Sequence, residues 1–201
     1  KAERRIKELN AADPDLESGW LAQKARIEAI AAYYRQSDDF TRQGRGDTAT
    51  HKLFLERAYD LLRDEGRLGF VVPSGIYSDL GTKELREMML DEGRIEYLYN
   101  FSNERWFFSS VHHAFHFTLL GTQKGTQSDG FWATFRFNPR VAVAPDELPT
   151  FLADPTNLVY IRRTSLIRFS PDSLSVMEFN TQKDYEIVDK IYDDWSLLGD
   201  D

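Results

Sequence analysis

The side chains best suited to chemistry in this sequence are one serine and three histidines, and their spacing supports no common catalytic centre. Ser74 follows an apolar run, but it lacks the flanking glycines of a nucleophile turn. His112, His113 and His116 can bind metal, yet no carboxylate lies close in sequence to complete a site. We therefore expect no metal site, and we interpret these histidines as surface or interface residues.

Other catalytic motifs are also missing from the 201 residues. No glycine-rich dinucleotide motif and no phosphate-binding loop occurs. No Glu-x-Lys occurs, which a metal-dependent nuclease of that class needs to hold its ion and water. Cysteine is absent, and this excludes disulfides and thiolate zinc sites. The sequence therefore carries no complete catalytic centre of its own.

Composition indicates a globular protein rather than a membrane protein. The hydrophobic fraction is 41%, and no apolar run approaches the roughly 20 residues that a membrane helix needs. The first residues are charged and no apolar signal-peptide stretch follows them, so we expect a cytoplasmic protein without a membrane partner. The net charge of −8 does not by itself predict nucleic-acid binding, because DNA-binding proteins are usually basic.

The charge is unevenly spread along the chain. Residues 182–201 hold seven acids against two lysines, a balance of −5. Residues 133–168 hold five arginines against three acids, a balance of +2. The arginines are Arg136, Arg140, Arg162, Arg163 and Arg168. We interpret both regions as solvated surface.

The middle of the chain has the pattern of an α/β fold. A helix should begin near Asp47 or Thr48, which are good N-caps, and end before Gly66. The run Arg67–Pro73 predicts a strand that is buried on both faces. A helix over residues 82–92 and a strand over residues 95–101 follow, and this alternation indicates an α/β sheet.

The regions on either side of this middle part are less regular. Residues 1–15 predict a helix or a loose arm, and Leu16–Gln36 predicts a helix because its apolar residues recur at helical spacing. Two aromatic strands over 114–120 and 131–137 flank a polar glycine-containing loop, which predicts a hairpin or two adjacent edge strands. Short strands are predicted at 158–162 and 166–169, and a final amphipathic helix at 183–195.

The most informative stretch contains several motifs in a fixed order. They are Gly44-Arg45-Gly46-Asp47-Thr48, Leu53-Phe54-Leu55-Glu56-Arg57-Ala58, Gly66-Arg67-Leu68-Gly69-Phe70-Val71-Val72-Pro73-Ser74-Gly75-Ile76, Gly81-Thr82-Lys83 and His113-Ala114-Phe115-His116-Phe117. Together they closely resemble the gamma-class adenine-N6 DNA methyltransferases, especially the Type IIG restriction–modification enzymes and related phage-defence methyltransferases. The resemblance implies the C-terminal part of a Rossmann-like methyltransferase sheet, with flanking helices and a terminal antiparallel hairpin.

The resemblance also implies that important parts lie elsewhere. Enzymes of this family bind S-adenosylmethionine at a glycine-rich turn and hold the flipped adenine with an Asn-Pro-Pro-aromatic motif. Neither motif occurs in this sequence, where the single Asn-Pro is Asn138-Pro139 and continues Arg-Val. We therefore expect a fragment that lies after the catalytic motif. It should be inactive alone and bind no cofactor, while its parent enzyme uses S-adenosylmethionine and double-stranded DNA.

Three divisions of the chain follow from the resemblance. Residues 1–46 should be a helical insertion and loop, and residues 47–137 the C-terminal half of the catalytic domain. Residues 138–201 should be a linker and the start of a target-recognition region.

The resemblance assigns roles to a few aromatic residues and to no catalytic residue in this chain. Phe54 matches the aromatic beside the adenine of the cofactor, and Phe108 or its neighbour Phe107 matches the aromatic that stacks on the flipped target base. An aromatic face suits both roles physically. The alternative for each is ordinary core packing, since Phe54 shares an apolar helical side with Ala58, Leu61 and Leu62.

A second function class is a non-catalytic interaction module built on the same sheet. Its partner surface would be the helix Leu16–Gln36 or the acidic C-terminal helix. The apolar strand residues Phe70, Val71 and Val72 would form an unpaired edge in an isolated fragment, and such an edge predicts a homodimer of the fragment.

Overall fold

The computed structural model describes residues 2–44 and 47–195, which divide into two compact units. The first unit extends to Thr41, and the second begins at Arg42. Arg45 and Gly46 of the first motif, and the last acidic residues of the chain, lie outside the described residues.

The first unit consists of two helices. Helix α1 spans Ala2–Ala12 and helix α2 spans Leu16–Gln36, so the predicted second helix is confirmed at both ends and the first 15 residues are mainly helical. Trp20, Ile27 and Tyr33 on α2 are exposed.

The second unit contains the predicted alternation of helices and strands. Its elements are α3 (Thr50–Asp60), β1 (Arg67–Pro73), α4 (Gly75–Ser78), α5 (Lys83–Asp91), β2 (Gly93–Ser102), β3 (His116–Lys124), β4 (Gly130–Arg136), α6 (Leu148–Ala153), β5 (Val159–Arg162), α7 (Arg163–Phe169) and α8 (Gln182–Asp194). The helix α3 begins later than predicted, with Ala49 as its N-cap instead of Asp47 or Thr48. None of the helices in the described part of the chain is long and apolar enough to cross a bilayer.

The five strands form one mixed sheet in the order β1-β3-β2-β4-β5. Strand β3 runs antiparallel to both of its neighbours, so β1 and β2 point the same way. Strand β4 is parallel to β2, and β5 is antiparallel to β4. An α/β fold is thereby confirmed, with β1 and β5 as the edges of the sheet.

The predicted hairpin between residues 114–120 and 131–137 is wrong. These residues correspond to β3 and β4, but β2 lies between the two strands and pairs with both of them. The physical reason is burial. Strand β3 is mostly buried, with Leu119 and Leu120 on opposite faces, and it occupies the inside of the sheet, where it pairs with β1 as well as β2. The antiparallel pair at the end of the sheet is β4 with β5.

Two other expectations for single elements are wrong. Residues 166–169 belong to α7, because Leu166 and Phe169 are three residues apart and both turn into the core. Strand β1 is not buried on both faces. As an edge strand it leaves Val71 54% exposed, while the adjacent Val72 is buried.

The main core lies between one face of the sheet and the helices α3, α5, α7 and α8. Leu55 and Met89 from the helices pack with Leu98 and Phe131 from the strands, and Tyr185 of α8 joins them. Burying each large apolar side chain stabilises the fold by roughly 1.5–3 kcal/mol. A smaller cluster, on Phe101, Phe117 and Val143, lies elsewhere in the second unit and is described below with the candidate site.

Candidate functional site

The carboxyl ends of β1, β2 and β4 meet at one edge of the sheet, which we call the carboxyl edge. Pro73, the last residue of β1, pairs with Phe117 near the start of β3, and Ser102 at the end of β2 pairs with His116. Residues 74–82 and 103–115 therefore leave the sheet at the same edge. Ligands of open α/β sheets bind at this edge, outside the carboxyl ends of the strands.

Residues 103–115, which we call the aromatic loop, are held by one fully buried asparagine. The Asn103 amide nitrogen Nδ2 donates to the carbonyl oxygens of Phe108 and Val111, both at 2.8 Å. Its Oδ1 accepts the backbone N–H of Phe108 at 2.9 Å. His113 Nδ1 lies 3.0 Å from Glu104 Oε1 and ties the two ends of the loop together. These contacts hold the aromatic loop together.

The two candidate base-stacking residues differ in exposure. Phe107 and Phe108 both pack on Phe117, with ring centroids 5.0 Å apart in each case. Phe107 also contacts Phe101 and belongs to the smaller core cluster. Phe108 stands edge-on to Phe117 and is 39% exposed, so its ring is available to a ligand. Trp106 is a further exposed aromatic residue of this loop. The sequence motifs assigned no role to it.

Phe54 lies on a different element and is not a core residue. Its side chain is 65% exposed on α3, and Leu61 beyond the helix end is exposed as well. The inward side of α3 is formed by Leu55 and Tyr59, together with the polar residues Lys52 and Glu56. The predicted apolar side of this helix is therefore wrong, and core packing does not account for Phe54.

The first turn of α3 is fastened to the carboxyl edge by Lys52. Its ammonium donates to the carbonyl oxygens of Gln43 at 2.5 Å and Gly81 at 2.9 Å, and burial lowers its pKa. Gly44 has a φ of +66°, and a Cβ there would lie 2.7 Å from the Gly81 carbonyl oxygen. A side chain at position 44 is therefore both strained and blocked. These contacts bring the first turn of α3, which precedes Phe54, next to Gly81.

Residues 74–82 are in turn held by a buried arginine. Arg86 is 1% exposed and donates to the carbonyl oxygens of Ile76 at 2.8 Å, Asp79 at 2.7 Å and Ser173 at 2.7 Å. It also donates to Thr82 Oγ1 at 2.6 Å. Burial lowers the pKa of Arg86 to about 10, so the guanidinium stays charged at neutral pH. Sequence reasoning missed this residue, because an arginine on an amphipathic helix ordinarily lies at the surface.

The segment after α7 docks on residues 74–82 through further bonds. The Val176 N–H donates to the Tyr77 carbonyl oxygen at 2.8 Å, and the Tyr77 hydroxyl donates to Glu178 Oε1 at 2.5 Å. Burial and the Glu178 carboxylate raise the pKa of the Tyr77 hydroxyl. Through these contacts the later part of the chain is joined to the carboxyl edge.

Ser74 and the three histidines lie on different elements of the second unit. His112 and His113 lie in the aromatic loop, with ring centroids 4.3 Å apart, and His116 begins β3. Within residues 2–44 and 47–195 no group of three or more His, Asp or Glu side chains could hold a metal ion. Ser74 lies at the start of the short helix α4.

The sheet order and its carboxyl-edge loops define an α/β fold, and solved structures share it. The type IIG restriction endonuclease BpuSI has 16% sequence identity and a TM-score of 0.52, with 75% of this chain and 18% of that one covered. A type I restriction–modification methyltransferase subunit from Streptococcus thermophilus has 14% identity and a TM-score of 0.52, with 71% and 33% covered. This chain thus spans a fifth to a third of the length of these proteins.

The sequence comparison agrees with the fold. Residues 21–107 match the model of the Eco57I restriction-modification methylase family. This match covers α2 from residue 21 onward, the segments that carry Phe54 and Arg86, and the aromatic loop as far as Phe107. It confirms the resemblance to restriction–modification methylases that the motifs indicated. No functionally curated protein matches the chain.

Proposed function

We propose that this chain is part of the catalytic domain of a cytoplasmic adenine-N6 DNA methyltransferase from a restriction–modification or phage-defence system. The observation that carries the proposal is the fixed aromatic loop at the carboxyl edge, next to a segment that matches restriction–modification methylases. The parent enzyme acts on double-stranded DNA, and the remaining motifs of its active site come from other parts of that enzyme.

The role of the aromatic loop is to receive the target adenine. A base that is swung out of the duplex loses its stacking and needs a wall to recover part of it. Phe108 offers an accessible ring for this purpose, and Phe107 is the alternative if the register differs by one residue. The Asn103 bonds hold the backbone of Phe108 in place, so little ordering is needed when the base enters.

The cofactor of the parent enzyme is S-adenosylmethionine, which supplies the methyl group when bound. The part of this chain that fits it is Phe54, whose exposed ring directly follows the first turn of α3 and can stack on a purine. The Lys52 contact with Gly81 holds that turn at the carboxyl edge, where such a ligand binds. The chain has no glycine-rich turn for the methionine end, so it forms only one wall of the cofactor site.

The proposal includes the three divisions of the chain that were predicted from the sequence. Residues 1–46 are the helical insertion and loop, and residues 47–137 are the C-terminal half of the catalytic domain. Residues 138–201 are a linker and the start of a target-recognition region. The bonds of Arg86 and Tyr77 to residues 173 and 178 hold the last region at the carboxyl edge, within the same compact unit as residues 47–137.

The proposal is tested by comparing the 201-residue chain with the full-length protein. Transfer of a tritiated methyl group to mixed-sequence duplex DNA should occur with the full-length protein and not with the chain alone. Turnover by the chain alone would contradict the fragment interpretation. If the full-length protein also transferred no methyl group, the methyltransferase assignment itself would be wrong.

The edge strand β1 predicts association of the isolated chain. Its outer side pairs with no strand in the described part of the molecule, and Val71 is exposed on it. We expect this edge to pair with another strand, which in the isolated chain would come from a second copy. Light scattering should then show a dimer whose fraction rises with concentration, and Val71→Lys should reduce it. A monomer at high concentration would contradict this expectation.

A further inference from the structure

The aromatic loop exposes more apolar surface than the proposed function uses. Phe108 is the residue assigned to the flipped base, yet Trp106 and Phe115 of the same loop are 57% and 64% exposed. Single exposed apolar residues are common on protein surfaces, but several on one short loop indicate a binding surface. The loop therefore presents further aromatic rings beside the one that receives the base.

Trp106 is held in a backbone conformation that favours glycine. Its φ and ψ are 57° and 48°, in the left-handed region, and its N–H donates to the Asn103 carbonyl oxygen at 2.9 Å. A bulky side chain is unfavourable in this region. Burial of the indole does not offset that cost, because more than half of the side chain is exposed. A strained residue that gains little from core packing is typical of a functional site.

The charged residues of the loop favour a nucleic acid as its ligand. Among residues 103–115 the single acid is Glu104, which is half-buried and lies 3.0 Å from His113. Arg105, directly before Trp106, is exposed. An aromatic ring stacks on any base, and an arginine beside it suits the phosphate backbone. Both kinds of side chain are therefore presented at the same point of the loop.

Trp106 and Phe108 are presented by one turn but have different supports. Asn103 accepts the Trp106 N–H with its carbonyl oxygen and the Phe108 N–H with Oδ1, each at 2.9 Å. The Trp106 ring lies 6.2 Å from the His113 ring, whereas the Phe108 ring packs on Phe117 at 5.0 Å. Their Cα atoms are at most about 7 Å apart, since two extended residues span no more than that. A flipped base stays attached to its strand, so its pocket and the gap that it leaves in the stack are also neighbouring places.

From this arrangement we infer that Trp106 enters the gap that the flipped adenine leaves in the duplex, while Phe108 receives the base itself. The inference rests on the proposed function and adds a second stacking residue to it. The gap leaves an unpaired partner base and neighbours that have lost part of their stacking, and an indole ring restores some of it. Apolar side chains that insert between base steps deform a duplex in the same way.

The test uses the full-length protein and a duplex in which 2-aminopurine replaces the adenine that the wild type methylates. The fluorescence of 2-aminopurine rises when it leaves the base stack. This rise should be smaller with Trp106→Gly, and single-turnover methylation of the adenine duplex should be slower by roughly tenfold, as loss of one base–aromatic stack implies. Trp106→Phe should keep most of both signals. Phe115→Ala is the matched control, since it removes another exposed ring of the loop, and it should change neither signal.

Glycine at position 106 separates loss of the ring from loss of the loop. Because glycine adopts the left-handed conformation readily, the melting temperature of Trp106→Gly should stay close to that of the wild type. A second measurement needs no variant. With 5-iodouracil opposite the target adenine, photocrosslinking of the wild-type complex and mass spectrometry should locate the adduct at Trp106.

Several results would overturn the inference while methylation by the wild type upholds the proposed function. They are normal flipping and methylation by a folded Trp106→Gly, equal losses in Trp106→Gly and Phe115→Ala, and a crosslink at another residue. If Trp106→Gly left the reaction with DNA unchanged but altered assembly with another protein, the ring would belong to a protein interface and the inference would again be wrong. Absence of both methylation and base flipping in the wild type would overturn the proposed function and the inference together.

Discussion

Replacing Phe108 with alanine in the full-length enzyme should slow methyl transfer to DNA by roughly one to two powers of ten. Stacking of a base on an aromatic side chain contributes about 1–3 kcal/mol. At about 1.4 kcal/mol per power of ten, loss of that stacking in the transition state gives this range. The loop itself should survive the change, because Asn103 binds only the backbone atoms of Phe108.

The same experiment separates Phe108 from the other two aromatic candidates. Cofactor affinity should barely change in Phe108→Ala, whereas Phe54→Ala should weaken cofactor binding first. Phe107→Ala should mainly reduce stability, since Phe107 packs on Phe101 and Phe117 in the smaller core. Cofactor binding, single-turnover methylation and the melting temperature of the three variants should be measured side by side.

The outcomes of these measurements are distinct. Normal methylation by Phe108→Ala, with slow methylation by a stable Phe107→Ala, would place the stacking role on Phe107. Normal methylation by both variants would show that neither ring receives the base, and the aromatic loop would then be structural. Loss of cofactor affinity in Phe108→Ala would mean that the cofactor reaches this loop.

The positions of several helices and strands could be predicted from the sequence, because they depend on the spacing of apolar residues within one segment of the chain. The ends of α2 and β1 agree with the prediction, and so does the position of β5 to within one residue. Strand pairing could not be predicted in the same way. Strands β3 and β4 are neighbours in sequence, but β3 pairs with β1 and β2, which are more distant in sequence.

The sequence indicated which aromatic residues are candidates for the site, but it did not show how the folded chain positions them. Apolar spacing placed Phe54 on the buried side of its helix, yet that side includes the charged residues Lys52 and Glu56. Lys52 donates to the carbonyl oxygens of Gln43 and Gly81, and Glu56 accepts from the Arg42 N–H and the Gln43 side chain. No helical pattern reveals these partners. The positioning residue Asn103 was missed for the same reason, since its importance comes from bonds to backbone atoms that only the folded loop brings within reach.

Arg86 is the position where a single substitution should destabilise the protein most. Arg86→Met keeps the length and much of the volume of the side chain but removes four hydrogen bonds to buried or partly buried oxygens. Leaving a buried polar group without a partner costs about 1–3 kcal/mol. Because several acceptors lose their donor together, we expect the free energy of unfolding to fall by roughly 3–5 kcal/mol, as when a buried charge network is broken.

Urea and thermal unfolding of the full-length protein and of the 201-residue chain would measure this loss. For a chain of this size, a loss of about 1 kcal/mol in the free energy of unfolding lowers the melting temperature by about 2–4 °C. The melting temperature of Arg86→Met should therefore drop by roughly 10 °C. Arg57→Met is the matched control, because Arg57 is exposed on α3. This replacement should change the free energy of unfolding by no more than about 0.5 kcal/mol.

Hydrogen exchange should show where the Arg86 variant loosens first. Arg86 connects residues 76–82 to Ser173 by hydrogen bonds. The Val176 N–H donates to the Tyr77 carbonyl oxygen and therefore lies at the same contact between the two segments. Exchange of the Val176 N–H should therefore accelerate in Arg86→Met more than exchange within β2, which other strands hold on both sides. Equal stability of Arg86→Met and Arg57→Met would show that the buried guanidinium contributes no net stability. A stability loss without faster exchange at Val176 would show that Arg86 stabilises residues 76–82 alone and does not connect them to the later part of the chain.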